Sequence, residues 1–155
     1  MRETFSSDNI CLDASVVLAF VLPDELLHDQ AVALVKALSS GDVKLCAPAM
    51  FAYECDSVIR LRLYKGELSH HEAQTARALV EALAVLVEFD PDNADRAFAI
   101  SCEYDQPRAY DAAYAAYAES RRVELITADR PFFEAVNGSK RPKKLAALSF
   151  VKLLS

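Results

Sequence analysis

The fold is decided by the stretch Asn9-Ile10-Cys11-Leu12-Asp13-Ala14-Ser15-Val16-Val17-Leu18-Ala19-Phe20-Val21-Leu22, an almost unbroken apolar run that contains a single carboxylate. A short apolar run behind a turn-prone segment is typical of a buried strand. We predict a strand at 9–13 and, directly after it, a helix at 14–22 that Pro23 ends. Because burial of an isolated charge costs free energy, Asp13 is neutralised, hydrogen-bonded, or placed to hold a cation.

The length and composition of the chain favour one globular domain over residues 1–155. Its 155 residues, 53% of them hydrophobic, are ample for a core. The acidic Glu3 and Asp8 precede the apolar run and no cleavage site follows Leu22, so the pattern is not that of a signal peptide. The run is also shorter than the ~20 residues that span a bilayer. We expect a cytoplasmic protein without a membrane segment.

The cysteine and histidine patterns predict no metal or redox motif. No C-x-x-C pair occurs and no cysteine lies beside a histidine, so we expect reduced core thiols at four positions: Cys11, Cys46, Cys55 and Cys102. His70 and His71 are adjacent and diverge on a predicted helix, far from His28 in the sequence. Histidine chemistry is therefore not expected.

Strands and helices alternate along the rest of the chain. Apolar periodicity and Gly or Pro punctuation predict helices at 24–38, 48–65, 69–83, 93–104 and 110–121 and a short helix from 131. The same signals predict strands at 43–46, 85–89 and 123–126 and a final edge strand at 145–154. This alternation predicts an α/β fold, a three-layer α/β/α sandwich around a central, mainly parallel sheet.

Two carboxylates follow predicted strands at the same rim of this sheet. Ligands bind beyond the carboxyl ends of the strands in open α/β sheets. Asp13 ends the first strand, and Asp129 comes just after the strand at 123–126, in Thr127-Ala128-Asp129. Asp129 also stands in a good N-cap position before Pro131, and capping is compatible with a ligand role.

Two further carboxylates stand on predicted helices. Glu54 is the only charge on a predicted inward stripe whose apolar members are Met50, Phe51, Val58 and Leu61. A buried salt bridge is the alternative role for Glu54. Asp111 opens an alanine-rich helix, where it is either a first-turn carboxylate favoured by the helix dipole or a fourth member of the site.

The four carboxylates together predict a metal site. Two unit charges ~4 Å apart repel by about 4 kcal/mol at an effective dielectric of 20, so such a cluster needs protons or a cation. An all-oxygen ligand set without histidine or cysteine selects Mg²⁺ or Mn²⁺. Ions of this kind activate water and stabilise phosphate charge in phosphodiester hydrolysis.

The acids stand in motifs that resemble a known family. In chain order the motifs are Leu12-Asp13-Ala14-Ser15, Tyr53-Glu54, Tyr110-Asp111-Ala112-Ala113-Tyr114-Ala115-Ala116-Tyr117-Ala118-Glu119 and Leu125-Ile126-Thr127-Ala128-Asp129-Arg130-Pro131-Phe132. This set resembles the PIN domain, and in particular the small stand-alone PIN proteins that are the toxins of VapBC-type toxin–antitoxin pairs. The resemblance spans nearly the whole chain.

The resemblance implies a Mg²⁺- or Mn²⁺-dependent ribonuclease that cuts single-stranded or loop RNA. In such an enzyme Asp13, Glu54, Asp111 and Asp129 are the catalytic and metal-holding residues, and Thr127 supports the site. The family also implies a homodimer and a cognate antitoxin that blocks the acidic groove.

Positive charge for an RNA substrate has to be local, since the net charge is −6. The candidate RNA contacts are Arg60, Arg62 and Arg130.

Other functions for strand-end aspartates remain open at this point. A phospho-receiver domain requires adjacent acids after the first strand and a late lysine, whereas this chain has Asp13 alone and Thr127 in the lysine's place. A phosphatase with an aspartyl nucleophile requires D-x-D, and Ser15 replaces the second aspartate. A third alternative is a PIN fold that binds without catalysis. Because all four acids are present, we favour catalysis.

Overall fold

A computed structural model describes residues 6–155, and within them a five-stranded, all-parallel sheet carries helices in an α/β/α arrangement. The predicted fold class is confirmed. The elements are β1 (Ser6–Leu12), α1 (Ala14–Val21), α2 (His28–Ser40), β2 (Lys44–Pro48), α3 (Phe51–Tyr64), α4 (His70–Ala82), β3 (Leu86–Glu88), α5 (Asn93–Glu103), α6 (Tyr110–Arg121), β4 (Val123–Thr127), α7 (Arg130–Val136) and β5 (Val151–Leu153).

The first strand occupies the centre of the sheet, whose order is β3-β2-β1-β4-β5. Cys11 of β1 pairs with Cys46 of β2 on one side and with Leu125 of β4 on the other. The last three residues of β1 are apolar because this part of the strand is covered on both faces, and Cys11 and Leu12 are fully buried. The carboxyl ends of β1 and β4 therefore lie side by side, where the Asp13 N–H donates to the Ile126 carbonyl at 3.0 Å.

The alanine-rich helix α6 has the predicted bounds and packs against α5 and the sheet. All side chains from Ala112 to Ala118 are buried, because small residues let the helix backbone approach its neighbours closely. The helix ends at Arg122, which adopts a left-handed conformation (φ 55°) as the C-cap.

Four predicted boundaries differ from the structure by three residues or more. The first strand begins at Ser6 and ends at Leu12, so Asp13 follows it as the N-cap of α1. Pro48 is the last residue of β2, so the helix expected to begin there begins at Phe51. The second helix begins at His28, since residues 23–27 form a turn. The final strand covers only Val151–Leu153, because the Val151 N–H donates back to the Leu148 carbonyl (2.9 Å) and the chain turns there.

Two predictions about burial are wrong. The buried face of α3 consists of Phe51, Cys55 and Ile59, so Glu54 lies half-buried at the edge of that face, and Leu61 is 50% exposed. Cys102 is exposed on α5, whereas the other three cysteines are buried as expected. In the part of the chain that the structure describes, no helix is long and apolar enough to cross a membrane.

Candidate functional site

Asp13 is the N-cap of α1 and is only 5% exposed. Its Oδ1 accepts the Ser15 N–H (3.3 Å) and its Oδ2 accepts the Thr127 hydroxyl (2.6 Å). Burial raises the pKa of Asp13, the hydrogen bonds from Thr127 and Ser15 lower it, and the charge of Asp129 raises it further; the net direction is upward. The carboxylate is thus held in one orientation at the end of the central strand.

The loop between β4 and α7 is fastened to Asp13 by side-chain hydrogen bonds. Thr127 is fully buried, and its hydroxyl oxygen accepts the Asp129 N–H (3.0 Å) while its O–H donates to Asp13. The Ser15 hydroxyl accepts the Ala128 N–H (3.0 Å). Asp129 caps α7 by accepting the Phe132 N–H (2.9 Å), so its predicted capping role is confirmed.

Glu54 is half-buried and accepts a short hydrogen bond from the Tyr114 hydroxyl. Burial raises the pKa of Glu54, the bond from Tyr114 lowers it, and the charge of Asp13 raises it; the net direction is upward. Burial and the charges of Asp13 and Glu54 also raise the pKa of the Tyr114 phenol, which keeps its proton and donates it to the hydrogen bond. Sequence analysis missed this role, although Tyr114 follows Asp111 by three residues on the same helix.

The pKa of Asp111 is affected by the charges of all three other acids. It lies half-buried in the first turn of α6, and its pKa is raised to about 7. Burial is the largest cause, followed by the negative charges of Asp13, Asp129 and Glu54. Carboxylates from four separate segments of the chain therefore share one neighbourhood at the carboxyl rim of the sheet.

A cavity of about 660 Å³ opens at this rim, and three of the acids line it: Asp13, Glu54 and Asp111. Apolar side chains, among them Leu18 and Met50, form other parts of its wall. Arg108, in the loop before α6, is the only cation among the described residues that line the cavity. Sequence analysis missed Arg108, although it stands three residues before Asp111.

The donor chemistry of the rim fits a hard divalent cation. Among residues 6–155, no group of three or more His, Cys, Asp or Glu side chains is arranged to hold a metal ion. Asp13, Glu54 and Asp129 each accept a hydrogen bond from a protein donor. Burial and the negative charge of neighbouring acids raise the pKa values of Asp13, Glu54 and Asp111, and all four acids offer oxygen ligands, so a cation would relieve their repulsion.

The three predicted RNA-contacting arginines occupy different surroundings. Arg62 is engaged in ion pairs on α3, where its partners are Asp24, Glu25 and Glu67. Arg60 is exposed, with its guanidinium 5.5 Å from the ring centroid of Tyr64, outside the set of residues that line the cavity. Arg130 is exposed directly after Asp129. The charge of Arg62 is therefore already balanced within the protein.

Residues 10–138 match the model of the PIN domain family. The chain therefore belongs to the PIN domain family, as its motifs predicted. No curated protein matches the sequence.

Solved structures with the same fold include PAE2754 from Pyrobaculum aerophilum, with a TM-score of 0.62, 24% identity, and coverage of 90% of this chain and 86% of that one. The VapC20 toxin of Mycobacterium tuberculosis, described as cleaving the Sarcin-Ricin loop, is 19% identical (TM-score 0.56; 74% and 85% covered). A toxin–antitoxin complex from Klebsiella pneumoniae contains a chain that is 21% identical (TM-score 0.56; 85% and 98% covered). At these identities the likeness establishes the fold.

Proposed function

We propose that this protein is a metal-dependent endoribonuclease whose catalytic and metal-binding residues are Asp13, Glu54, Asp111 and Asp129. The observation that carries the proposal is the cavity at the carboxyl rim of the sheet, which Asp13, Glu54 and Asp111 line together and where burial and the charges of the other acids raise the pKa of Asp111. Such mutual perturbation is typical of functional sites. Membership of the PIN domain family supports the same conclusion.

The protein's own contribution to the reaction is the positioning of these acids. Thr127 orients Asp13, and Tyr114 orients Glu54, so both carboxylates are fixed before a substrate arrives. A bound Mg²⁺ or Mn²⁺ would lower the pKa of an attacking water and neutralise charge on the phosphate. Asp111, whose pKa is raised to about 7, would release its proton to solvent when such a cation binds beside it.

Local arginines supply the positive charge that RNA requires. Arg108, which lines the cavity, and Arg130, which is exposed next to Asp129, are our proposed contacts to phosphates beside the reacting one. Arg62 is less suited to this role than predicted, because three carboxylates already pair with it. Arg60 remains a predicted contact for a more distant part of the strand.

The biological setting we propose is that of a toxin in the cytoplasm, acting as a homodimer and inhibited by a cognate antitoxin. VapC20 is a toxin with this fold, and the Klebsiella pneumoniae chain is part of a toxin–antitoxin complex. Expression should arrest growth, and co-expression of a small protein encoded next to the gene should restore it. Normal growth at high expression of the active protein would contradict the toxin role, and a monomer in solution would contradict the homodimer.

The nuclease proposal is tested with purified protein and end-labelled single-stranded RNA. We expect cleavage with Mg²⁺ or Mn²⁺, none with EDTA, and loss of cleavage in Asp13→Asn, Glu54→Gln, Asp111→Asn and Asp129→Asn. Asp95→Asn is the matched control, since Asp95 is an exposed first-turn acid of α5, outside the cavity. Undiminished cleavage in EDTA would rule out the metal mechanism, and full activity of Asp13→Asn would show that this residue is misassigned.

The same assay separates catalysis from binding alone. A PIN fold that only binds would retain RNA in a filter-binding measurement without cutting it under any metal condition. A phospho-receiver role is disfavoured because the chain belongs to the PIN domain family, and Thr127 at the end of β4 stands where such a domain requires a lysine.

A further inference from the structure

Two tyrosines stand exposed at the cavity, on two different helices. Tyr53 of α3 is 79% exposed and Tyr110 of α6 is 60% exposed, and both line the cavity with the acids. Each directly precedes one of the cavity carboxylates, Tyr53 before Glu54 and Tyr110 before Asp111. Aromatic rings thus border the acidic centre from both helices that supply its half-buried acids.

The exposure of these rings distinguishes them from the tyrosines that serve the core. Tyr104, Tyr114 and Tyr117 are each at most 5% exposed, and their hydroxyls donate to protein acceptors. A large ring left in water beside a cavity is available to a flat apolar ligand surface. The cavity wall adds apolar contacts from Leu18 and Met50.

Rings beside a phosphate-processing centre fit nucleobases. A single-stranded nucleic acid alternates flat bases with phosphates, and bases stack on tyrosine rings with little dependence on sequence. Arg108 lines the same cavity and offers the cation that a phosphate next to the acids requires. A paired base in a duplex keeps its faces against its neighbours and is not free to stack on a protein ring.

We propose that Tyr53 and Tyr110 stack unpaired bases on the two sides of the phosphate held at the acidic centre, while Arg108 contacts the strand's backbone. This inference rests on the proposed nuclease function and names the residues that select unpaired RNA. The rings recognise the bases, and Arg108 recognises charge regardless of the base.

The test compares two fluorescently labelled strands of equal length, a single-stranded oligoribonucleotide and the same strand with abasic sites in place of its central bases. Binding is measured by anisotropy in the Asp13→Asn background, which does not consume the RNA and removes one of the negative charges that face its phosphates. We expect the Asp13→Asn protein to bind the base-containing strand more tightly than the abasic one. Tyr53→Ala and Tyr110→Ala should each weaken binding of the base-containing strand on the order of tenfold and leave the abasic strand unaffected.

Matched variants separate stacking from general effects on the surface. Tyr53→Phe and Tyr110→Phe keep the ring and should retain affinity. Tyr64→Ala removes a ring that is 76% exposed on α3 but does not line the cavity, so the affinity for both strands should stay unchanged. Arg108→Ala should weaken binding of both strands equally and lower the slope of log K against log salt by about 1, whereas Lys36→Ala, on the exposed side of α2 and outside the cavity, should do neither.

Failure of the stacking proposal can be distinguished from failure of the nuclease proposal. If the wild-type protein cleaves RNA but the two tyrosine-to-alanine variants bind and cleave as the wild type does, the stacking proposal is overturned and the nuclease function stands. If the wild type cleaves no RNA under any metal condition, the nuclease proposal fails. The stacking proposal would still be supported if the tyrosine variants lost affinity for the base-containing strand and kept their affinity for the abasic one. The stacking proposal would also be overturned if the tyrosine-to-alanine variants lost as much affinity for the abasic strand as for the base-containing one.

Discussion

Thr127 connects two of the four acids through one hydroxyl group. It donates to Asp13 and accepts from the Asp129 backbone, and it is fully buried at the end of β4. The hydroxyl is therefore used in both directions, which a hydrophobic side chain of the same shape cannot reproduce. Its position explains why the sequence at this strand end is Thr-Ala-Asp and not an apolar continuation of β4.

Thr127→Val should reduce cleavage activity and metal affinity more than it reduces the stability of the fold. The variant leaves the Asp129 N–H and one Asp13 oxygen without a partner, which costs about 2 kcal/mol. We also expect at least a tenfold loss of cleavage and a higher Mn²⁺ concentration for half-maximal activity. Thr127→Ser keeps both hydrogen bonds and loses one buried methyl group, about 1 kcal/mol, so it should cleave nearly as the wild type. Equal activity of the Val and Ser variants at saturating metal and at half-saturating metal would contradict the positioning role.

The raised pKa of Asp111 makes the stability of the metal-free protein depend on pH. The group has an ordinary pKa of 3.8 and a folded-state pKa of about 7, so the folded state binds its proton more tightly. The penalty on folding is absent below pH 3.8 and grows as the pH rises to about 7. Because Asp111 is only half-buried, we expect a loss of about 2 kcal/mol over this window.

Asp111→Asn should remove most of this pH dependence and raise the free energy of unfolding at pH 8 in EDTA. Chemical denaturation at pH 5 and pH 8 measures the effect, with Asp95→Asn as the first-turn control on α5. A decline of the same size in the Asp111→Asn protein would mean that another group is responsible.

At the scale of elements, α6 combines a packing role with a role in the proposed site. Its first turn carries Asp111, its middle is a run of buried alanines, and Tyr114 reaches Glu54 on α3. The close approach that alanine permits is thus what brings the Asp111 turn to the rim of the sheet.

Ala115→Leu should destabilise the protein by about 1–3 kcal/mol, because Ala115 is fully buried and the added atoms overpack the interface with α5 and the sheet. Ala78→Leu on the exposed side of α4 is the control and should change stability by less than about 0.5 kcal/mol. Thermal unfolding of both variants measures the difference. An unchanged melting temperature for Ala115→Leu would show that α6 has room to move.

Local sequence signals were sufficient to predict several elements of the fold. The apolar run around Asp13, the alanines of α6 and the Asp129–Pro131 cap predicted the sheet, a helix and the capped loop. The inward face of α3 was misplaced because periodicity fits two neighbouring stripes of this helix, and tertiary packing decides between them. The buried stripe runs along Phe51, Cys55 and Ile59, which leaves Glu54 at its edge.

What the sequence could not show are contacts between distant segments. The hydrogen bond from Tyr114 to Glu54 joins residues 60 positions apart, and Arg62 is neutralised by acids up to 38 positions away. Periodicity reports which side of a helix is buried but not which residue it meets. Arg108 was missed for the same reason, since only the cavity places it with the acids.

At the scale of the whole molecule, metal binding should stabilise the folded state by mass action. A ligand that binds only the folded protein adds about 2.7 kcal/mol at a concentration 100 times its Kd, which is several degrees of melting temperature for a domain of this size. We expect Mn²⁺ to raise the melting temperature of the wild type but not of Asp13→Asn. Scanning calorimetry measures both melting temperatures with Mn²⁺ and with Ca²⁺ as a second hard cation. An equal rise in melting temperature for the wild type and Asp13→Asn would mean that the metal binds elsewhere.

The central position of β1 also fixes when the site comes into existence. Asp13 and its partner Thr127 are 114 positions apart, and β1 lacks its β4 neighbour until the ribosome has passed Val123. Pairing at such sequence separation makes folding slow compared with local contacts. Translation therefore delivers Asp13 and Glu54 well before Asp111 and Asp129. A chain released before Val123 holds no complete site, so the proposed nuclease is inert until Asp129 has been made.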